Sequence, residues 1–315
     1  MDKESISYLE SRFSSLFTLI RLEGGRNNQV YKLEHNHKTY IIKKYFFHEK
    51  DPRDRLFHER AFYNYANEIG LDTVATLVDS FPKTRIGIYS YLEGRKPNES
   101  DVTKESIQQF IQFFQLINGK KHLAKDVPLA VDAALCINDY FSFIERRLDN
   151  LLKIEVLEDI DAGMISFLEK EIIPFYKETK DYALKKKNAF FSLKRDDLCL
   201  SPSDFGFHNV VIHQKKLRFF DFEYAGFDDP VNLLSNFFCQ PKISVPYEYF
   251  SMMAEGILED ETLALERFKL VYPLCRIKWS LLVLNLFLEV DGNRRNFARA
   301  VEDKVGQLAL AQRIL

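Results

Sequence analysis

The sequence lacks the cysteine patterns that define a zinc site or a disulfide framework. Its four cysteines, Cys136, Cys199, Cys239 and Cys275, are widely spaced and form no C-x-x-C or Cys/His cluster. Because structural metal sites and disulfide scaffolds depend on such clusters, we expect four free thiols that are buried in the fold.

Long apolar runs are missing as well. No window supplies the roughly 18 uninterrupted apolar residues of a membrane span, and the most apolar stretch, residues 279–288, favours a buried helix. Residues 1–12 carry three acidic side chains without the basic and apolar regions of a secretion signal. The sequence therefore predicts a cytoplasmic protein with no membrane partner.

The sequence also has no excess of positive charge. It contains 44 Lys and Arg against 46 Asp and Glu, for a formal charge of −2, without a basic stripe. Nucleic-acid binding needs clustered cations that neutralise phosphates, so we expect no nucleic-acid partner. The length of 315 residues predicts two lobes, and the surplus of 28 Phe and 15 Tyr favours an aromatic core over a stacking platform.

The first part of the chain has the pattern of a sheet with helices. After an N-terminal helix, residues 17–45 alternate between apolar and polar around two turns, which predicts a three-stranded antiparallel meander. Residues 52–70 have helical spacing and end at Gly70, where a C-cap glycine belongs. Two β-like runs, 73–80 and 85–91, should close the sheet as a hairpin. We place the end of this lobe at residue 92.

The remainder, 93–315, is mostly helical. Helices are predicted at 106–116, 140–152 and 271–290. Strands return at 209–213 and 216–221, joined by a tight turn. The pattern predicts an α+β fold with an N-terminal lobe, 1–92, and a C-terminal lobe, 93–315.

Two segments of the second lobe can carry chemistry. They are S-P-S-D-F-G-F-H-N at 201–209 and D-F-E-Y-A-G-F-D-D-P at 221–230. Phosphoryl transfer needs a carboxylate that orients or deprotonates the attacking hydroxyl, and oxygen ligands that hold Mg²⁺. Asp204 can supply the first, and Asn209 and Asp221 the second. Each motif alone is common in helix caps and on protein surfaces. The two motifs together, in this order and separated by the length of one hairpin, favour a catalytic function.

These segments resemble those of the aminoglycoside phosphotransferase and choline kinase-like family. The usual family loop is H-x-D-x-x-x-x-N, followed by a hairpin and [ILV]-D-[WF]-E. The resemblance implies a bilobal protein-kinase-like fold with Asp204 as the catalytic aspartate and Asn209 and Asp221 as Mg²⁺ ligands. It also implies transfer of the γ-phosphoryl group of ATP to a hydroxyl of a sugar, an aminoglycoside or an amino-alcohol.

The same resemblance extends to the first lobe. Lys43 is similar to the third-strand lysine that contacts the α- and β-phosphates, and Glu59 stands where its helix partner should be. Strand alternation favours Lys43 over its neighbour Lys44, because Lys43 shares a face with Ile41.

Two loops complete the expected nucleotide site. Gly25 lies in the G-G-R-N-N loop, where the family covers the nucleotide phosphates, although a plain hairpin turn has the same residues. Tyr91 and Leu92 belong to a segment that resembles the lobe connection, whose backbone groups hydrogen-bond adenine.

The catalytic loop departs from the family pattern at one position. Pro202 stands where the family usually has His, and this leaves a catalytically degenerate nucleotide-binding or scaffold protein as the alternative. We expect His208 to support the loop or the core rather than act as a general base. A protein kinase is disfavoured because H-R-D and A-P-E are absent and D-F-E replaces D-F-G.

The acceptor preference stays open at this stage. Glu223, Asp228 and Asp229 could face a cationic acceptor, although D-D-P also starts helices. Arg276 and Lys278 could equally face an anionic sugar.

Overall fold

The computed structural model describes residues 1–14, 16–23, 25, 27–51, 53–186, 191–259, 261–299 and 303–315. Within these ranges, five strands form an antiparallel sheet in the order β1-β2-β3-β5-β4, which contains the predicted meander and hairpin. The strands are β1 Thr18–Leu22, β2 Gln29–His35, β3 Lys38–Lys44, β4 Leu77–Phe81 and β5 Ile86–Ser90.

The N-terminal helix α1, Lys3–Phe13, covers one face of this sheet. Its residue Leu9 is fully buried in a cluster with Ile42 of β3 and Ile88 of β5. Side chains alternate along a strand, so the neighbours of Ile42 point to the opposite face. Lys43 therefore faces away from α1.

Helix α2, Arg55–Glu68, lies beside β4 and β5. It begins at Asp54, whose side chain accepts a hydrogen bond from the Phe57 amide at 3.0 Å. It ends before Gly70, which has the left-handed φ of 77° that a C-cap glycine adopts. The predicted helix is present but begins at Arg55. Pro52, at the start of the predicted range, lies outside the described residues.

The rest of the chain is mainly helical, with two small antiparallel strand pairs. The pairs are β6 Cys199–Ser201 with β9 Gly226–Asp228, and β7 Val210–His213 with β8 Lys216–Phe219. The helices are α3 Lys104–Gly119, α4 Ile137–Leu151, α5 Asp159–Phe167, α6 Ile173–Leu184, α7 Pro230–Cys239, α8 Phe250–Ile257, α9 Glu261–Val283, α10 Glu289–Ala298 and α11 Lys304–Ile314.

Aromatic side chains build the core beneath the candidate catalytic loop. The Phe110 ring on α3 lies 5.0 Å from Phe205, 4.7 Å from Phe207, 5.2 Å from Phe219 and 5.2 Å from Phe237, centroid to centroid. Such pairs stabilise a core beyond the area that they bury. The phenylalanines of the loop motif thus anchor the loop, and the aromatic surplus serves the core as expected.

Several predicted boundaries were wrong, among them β4, which begins at Leu77 and not at 73. The apolar helix runs over Glu261–Val283 with Pro273 inside it, and not over 271–290, because residues 284–287 form a 3₁₀ turn and Leu288 is extended. The predicted strands 209–213 and 216–221 begin at Val210 and end at Phe219. Burial continues across these ends, so hydrophobicity alone could not mark them.

One apolar segment, Thr262–Phe287, is long and apolar enough to cross a membrane by length and composition. In this fold 67% of its most apolar window is buried against the rest of the protein. A core helix of a globular protein passes the same test, so the segment is weak evidence for a span. The four cysteines are free thiols, three of them buried and Cys136 half-buried.

Candidate active site

A cavity of about 430 Å³ lies between the five-stranded sheet and the loops that follow β6 and β8. It is lined by all of the predicted site residues: Gly25, Lys43, Glu59, Tyr91, Leu92, Asp204, Asn209 and Asp221. A larger, shallow hollow of about 590 Å³ at the turn between β2 and β3 is lined by none of them. The smaller cavity is therefore the candidate site.

Lys43 is the centre of a charge network inside this cavity. Its ammonium lies 2.6 Å from the Glu59 carboxylate and 2.6 Å from the Asp221 carboxylate. Burial alone lowers the pKa of a lysine, but Asp221, Glu59 and Glu223 raise the pKa of Lys43 well above its usual value. The lysine is therefore charged and tethers both α2 and the segment after β8 to the sheet.

The neighbouring lysine has a different role. Lys44 forms an ion pair with Asp2 and donates a hydrogen bond to Ser5 at 3.2 Å, both at the start of α1. The choice of Lys43 from strand alternation thus agrees with where the two ammonium groups lie.

Buried tyrosines behind Glu59 hold its carboxylate, and sequence analysis missed them. The Tyr45 hydroxyl makes a short hydrogen bond to Glu59 and lies 2.6 Å from the Tyr89 hydroxyl. Burial raises the pKa of both phenols well above the usual value, so they remain neutral. Burial also raises the pKa of Glu59 to about 7, against the lowering effect of the Lys43 ammonium.

Asp204 is presented by a tight turn in the loop after β6. The Asp204 amide donates to the Pro202 carbonyl at 3.0 Å, which closes a γ-turn around Ser203, whose φ is 67°. A non-glycine residue in this conformation is strained, and such strain is found mainly at functional sites. Pro202 is buried, so packing supports the loop where the family usually has His.

His208 contacts the Asp204 carboxylate directly, with 3.0 Å between Nε2 and Oδ1. Its Nδ1 lies 2.6 Å from Nε2 of Gln240. The Gln240 amide is oriented because its Oε1 accepts from the backbone amides of Lys242 at 2.9 Å and Ile243 at 3.2 Å. Gln240 must then donate to Nδ1, which leaves the proton of the neutral ring on Nε2, facing Asp204.

This contact was only partly expected. Sequence analysis predicted that His208 supports the loop, whereas the ring lies against the Asp204 carboxylate itself. A Cβ on Gly206 would lie 3.0 Å from Nδ1 of His208, so a side chain there would crowd the ring. Gln240 is 36 residues beyond Asp204 in the chain, and no local pattern could have pointed to it.

Asn209 and Asp221 both line the cavity and carry side-chain oxygens. The Asn209 side-chain amide donates to the Asp204 carbonyl at 2.9 Å, which leaves its Oδ1 available. Asp221 has a left-handed φ of 70°, another strained position, and burial raises the pKa of its carboxyl despite the nearby Lys43. Carboxylate oxygens of Glu59, Asp221 and Glu223 also lie within 4.8 Å of one another.

The phenylalanine after Asp221 fixes this segment under α2. The Phe222 ring stacks on Phe62 with 4.1 Å between centroids, and its amide donates to Glu59 at 3.3 Å. Asp221 is thereby held at the cavity from both sides.

The loop between β1 and β2 is held by the D-F-E glutamate. Asn27 donates to Glu223 at 2.6 Å and to the Tyr224 hydroxyl at 2.9 Å, and Asn28 makes a short hydrogen bond to Glu223. A Cβ on Gly25 would lie 2.9 Å from the Asn28 carbonyl, so this close turn requires glycine. Gly24 and Arg26 of the predicted loop lie outside the described residues.

The segment that follows β5 leads into the second lobe along β7. Gly94 has a φ of 147°, and the amide and carbonyl of Arg95 pair with those of Ile212 at 3.1 and 2.8 Å. Tyr91 and Leu92, just before this bridge, line the mouth of the cavity.

The acidic residues considered for a cationic acceptor are occupied within the protein. Asp229 caps α7 and pairs with Arg267 at 2.6 Å, and Asp228 accepts from Asn232 at 2.7 Å. Glu223 holds the loop described above and is 1% exposed. The helix-start interpretation of D-D-P therefore holds.

The chain matches the model of the phosphotransferase enzyme family over residues 18–232, more than half of its length. No curated protein matches it.

Solved structures of similar fold cover nearly the whole chain. A spectinomycin phosphotransferase in complex with ADP and spectinomycin has a TM-score of 0.63 at 12% identity, covering 100% of this chain and 98% of its own. An aminoglycoside phosphotransferase in a ternary complex with streptomycin and ATP has a TM-score of 0.62 at 16% identity, and the match covers 90% of this chain and 90% of that one. A choline kinase from Streptococcus pneumoniae has a TM-score of 0.58 at 17% identity, and the match covers 99% of this chain and 99% of that one.

These similarities confirm the predicted α+β, protein-kinase-like fold. The family match agrees with the predicted phosphotransferase activity. The chain belongs to the phosphotransferase enzyme family.

Proposed function

We propose that this cavity transfers the γ-phosphoryl group of ATP to a hydroxyl of a small molecule, with Asp204 as the catalytic residue. The observation that carries the proposal is the convergence of Asp204, Asn209, Asp221 and Lys43 on one cavity of about 430 Å³. Kinase-like sites act mainly by positioning and by charge stabilisation, and this arrangement is suited to both.

Asp204 orients the acceptor hydroxyl and accepts its proton as the oxygen bonds to the γ-phosphorus and ADP leaves. Nε2 of His208 lies 3.0 Å from Oδ1 of Asp204, and this contact holds the carboxylate in place. His208 is a positioning residue in this account. Its support for Asp204, together with the strained turn at Ser203, argues against the alternative of a degenerate scaffold.

The nucleotide lies against the sheet. Lys43 binds its phosphates while Glu59 holds the lysine in place, and the turn at Gly25 covers the phosphates. The backbone of Tyr91 and Leu92 binds adenine, at the division between a nucleotide-binding lobe, 1–92, and a second lobe, 93–315.

The residues present fit Mg²⁺. Asn209 and Asp221 offer amide and carboxylate oxygens, the donor set that this ion prefers, and Asp221 is held in a strained conformation with its carboxylate at the cavity. When bound there, Mg²⁺ would neutralise phosphate charge.

The acceptor is a sugar, an aminoglycoside or an amino-alcohol. The similar structures support this range, since their names give spectinomycin, streptomycin and choline as the compounds that those proteins bind or act on. We also propose a cytoplasmic location, which is consistent with ATP as the donor and with the burial of the most apolar helix.

The test is Mg²⁺-dependent ADP formation across sugars, amino-alcohols and aminoglycosides, with native protein, Asp204→Ala and Asp221→Ala. We expect acceptor-stimulated ADP formation that both substitutions abolish. Tight ATP binding by the native protein without turnover on any acceptor would instead support the scaffold alternative.

A further inference from the structure

The last turn of α10 is bound by side chains of the five-stranded sheet, although the two are more than 250 residues apart in the chain. The Arg21 guanidinium on β1 donates to the carbonyls of Phe297 and Ala298, both at 3.1 Å. The Gln29 amide at the start of β2 donates to the Phe297 carbonyl at 3.2 Å. We call this last turn, residues 295–298, the strap.

The bonds from the sheet complete the end of the helix. The last four carbonyls of an α-helix have no partner within the helix. In α10 the C-cap amide is shared between the carbonyls of Arg295 and Asn296. The other two, of Phe297 and Ala298, accept from Arg21, whose positive charge also suits a helix C-terminus. The end of α10 is therefore capped by a side chain of the sheet.

The strap also contacts the loop between β1 and β2. The Arg295 guanidinium donates to the Asn27 side chain at 3.0 Å. The Phe297 ring lies 5.6 Å from the Phe46 ring, centroid to centroid, and the Phe46 amide donates to the Asn28 side chain at 3.2 Å. The strap is thus linked to the strand that enters the loop, to the loop itself and to the strand that leaves it.

These contacts lie behind the cavity and leave it open. Leu22 and Val30, which flank the loop, line the cavity. Arg21 pairs across the strands with Tyr31, which is buried with Leu9 of α1 on the opposite face of the sheet. The Arg21 guanidinium lies 5.9 Å from the Tyr31 ring. The strap therefore supports the loop from the face opposite the cavity.

The two supports of this loop come from different parts of the chain. Glu223, which holds Asn27 and Asn28 from the cavity side, lies within the range 18–232 that matches the family. Helix α10, Glu289–Ala298, lies beyond that range. The strap is thus a feature of this chain outside its matched range.

We propose that Arg21 is a positioning residue for the nucleotide: by fixing the strap to the sheet, it holds the loop over the phosphates and slows the release of ADP. The proposal rests on the function proposed above, in which the turn at Gly25 covers the phosphates. The loop can move away from the cavity only if its strands and the strap move together or the bonds from Arg21 and Gln29 break. Either change adds to the barrier for release.

The first test measures the dissociation rate of a fluorescent ADP analogue by stopped flow, with saturating Mg²⁺. We expect Arg21→Met to raise this rate by about tenfold, because it removes two hydrogen bonds from a charged donor. Arg21→Lys keeps the positive charge at the helix end and should recover part of the native rate. The matched control is Arg12→Met, which removes an exposed ion pair with Asp79 on β4, at the opposite edge of the sheet, and should leave the rate unchanged.

A second variant guards against a folding defect in Arg21→Met. Gln29→Leu removes a single uncharged bond to the strap and should raise the dissociation rate by about threefold. In steady-state kinetics both variants should raise KM for ATP and leave KM for the acceptor unchanged. A purely structural role for Arg21 would lower Tm without this difference between the two substrates.

The strap and the kinase function fail differently. Native rates of ADP release in both Arg21→Met and Gln29→Leu overturn the strap, and a lower Tm alone does not rescue it, while acceptor phosphorylation by the native protein leaves the kinase function standing. Faster ADP release in both variants, with no phosphorylated acceptor formed by the native protein from any compound, supports the strap and rejects the kinase function.

Discussion

The side of the cavity that we propose binds nucleotide and the helical second lobe hold their cations in different ways. On the nucleotide side, the Lys43 ammonium lies 2.6 Å from each of two carboxylates, and Glu223 is held by asparagine amides. In the second lobe, the Arg147 guanidinium lies 3.6 Å and the Lys278 ammonium 5.6 Å from the Phe143 ring. On the first side, the charged groups pair with one another, and the three carboxylates of Glu59, Asp221 and Glu223 could also bind a cation. The second arrangement contributes no side chain to the lining of the cavity.

The largest expected effect separates the roles of two carboxylates of the candidate site, Asp221 and Asp204. Asp221→Asn should lower kcat for phosphoryl transfer by about 10³-fold or more, because it removes the anionic metal ligand. For the same reason, Mg²⁺ should no longer increase the affinity of this variant for ADP. Asp204→Asn should lose about 10²–10⁴-fold in kcat while ADP binding is retained. Steady-state kinetics and calorimetric titration of ADP with and without Mg²⁺ check both. Equal loss of ADP binding in the two variants would contradict the separate roles.

The next effect concerns the support of Asp204. His208→Ala should lower kcat by about 10- to 100-fold with little change in KM for ATP, because a misplaced catalytic group is costly even when binding is intact. His208→Gln keeps a donor and should recover part of the rate. Gln240→Leu should lower kcat less, since it removes only the partner of Nδ1.

The same variants can also refute the claim that His208 supports the Asp204 carboxylate. If His208→Ala raises KM for ATP and leaves kcat unchanged, the ring supports the nucleotide site and not the carboxylate.

A smaller effect is expected where the first lobe meets the D-F-E segment. Asn27 bonds to Glu223 and Tyr224 and accepts from Arg295 at 3.0 Å, which ties the loop between β1 and β2 to α10. Asn27→Ala should raise KM for ATP about threefold, as expected for loss of hydrogen bonds worth about 0.5–1.5 kcal/mol each in net terms. Asn138→Ala, exposed on α4, is the matched control and should leave KM unchanged. An unaltered KM in Asn27→Ala would show that this contact does not shape the phosphate site.

The smallest effect is on stability and depends on pH. Burial alone raises the pKa of Asp51, but Arg53 and Arg55 lower it well below its usual range. A carboxyl with a depressed folded-state pKa stabilises the fold above its unfolded value of about 3.9 and loses this contribution as pH falls further. The urea midpoint of Asp51→Asn should be lower than that of the native protein at pH 7, and the gap should narrow below about pH 4. A gap that is constant with pH would show that the ion pairs contribute no net stability.

Sequence analysis found the residues that line the cavity far better than the residues that support them, for physical reasons. Lys43 could be assigned from strand alternation, and Asp204, Asn209 and Asp221 from two motifs whose spacing is set by one hairpin. These constraints are local in the chain, so pattern and topology together suffice.

The remaining contacts depend on tertiary packing. Gln240 reaches His208 from the end of α7, Tyr45 and Tyr89 meet behind Glu59, and Phe143 joins Lys278 across two helices. Residues far apart in sequence leave no periodic signal of such contacts. The end of α9 could not be predicted from hydrophobicity, because the turn at 284–287 is as apolar as the helix before it.

The most direct test of the central claim is to run the reaction with ATP and an acceptor in ¹⁸O-labelled water and to identify the products by mass spectrometry. If Asp204 delivers the acceptor hydroxyl to the γ-phosphoryl group, the acceptor gains an unlabelled phosphate ester, and Asp204→Asn makes none. Labelled inorganic phosphate as the only product, with the acceptor unchanged, would contradict the account, since water and not the acceptor would then be the nucleophile.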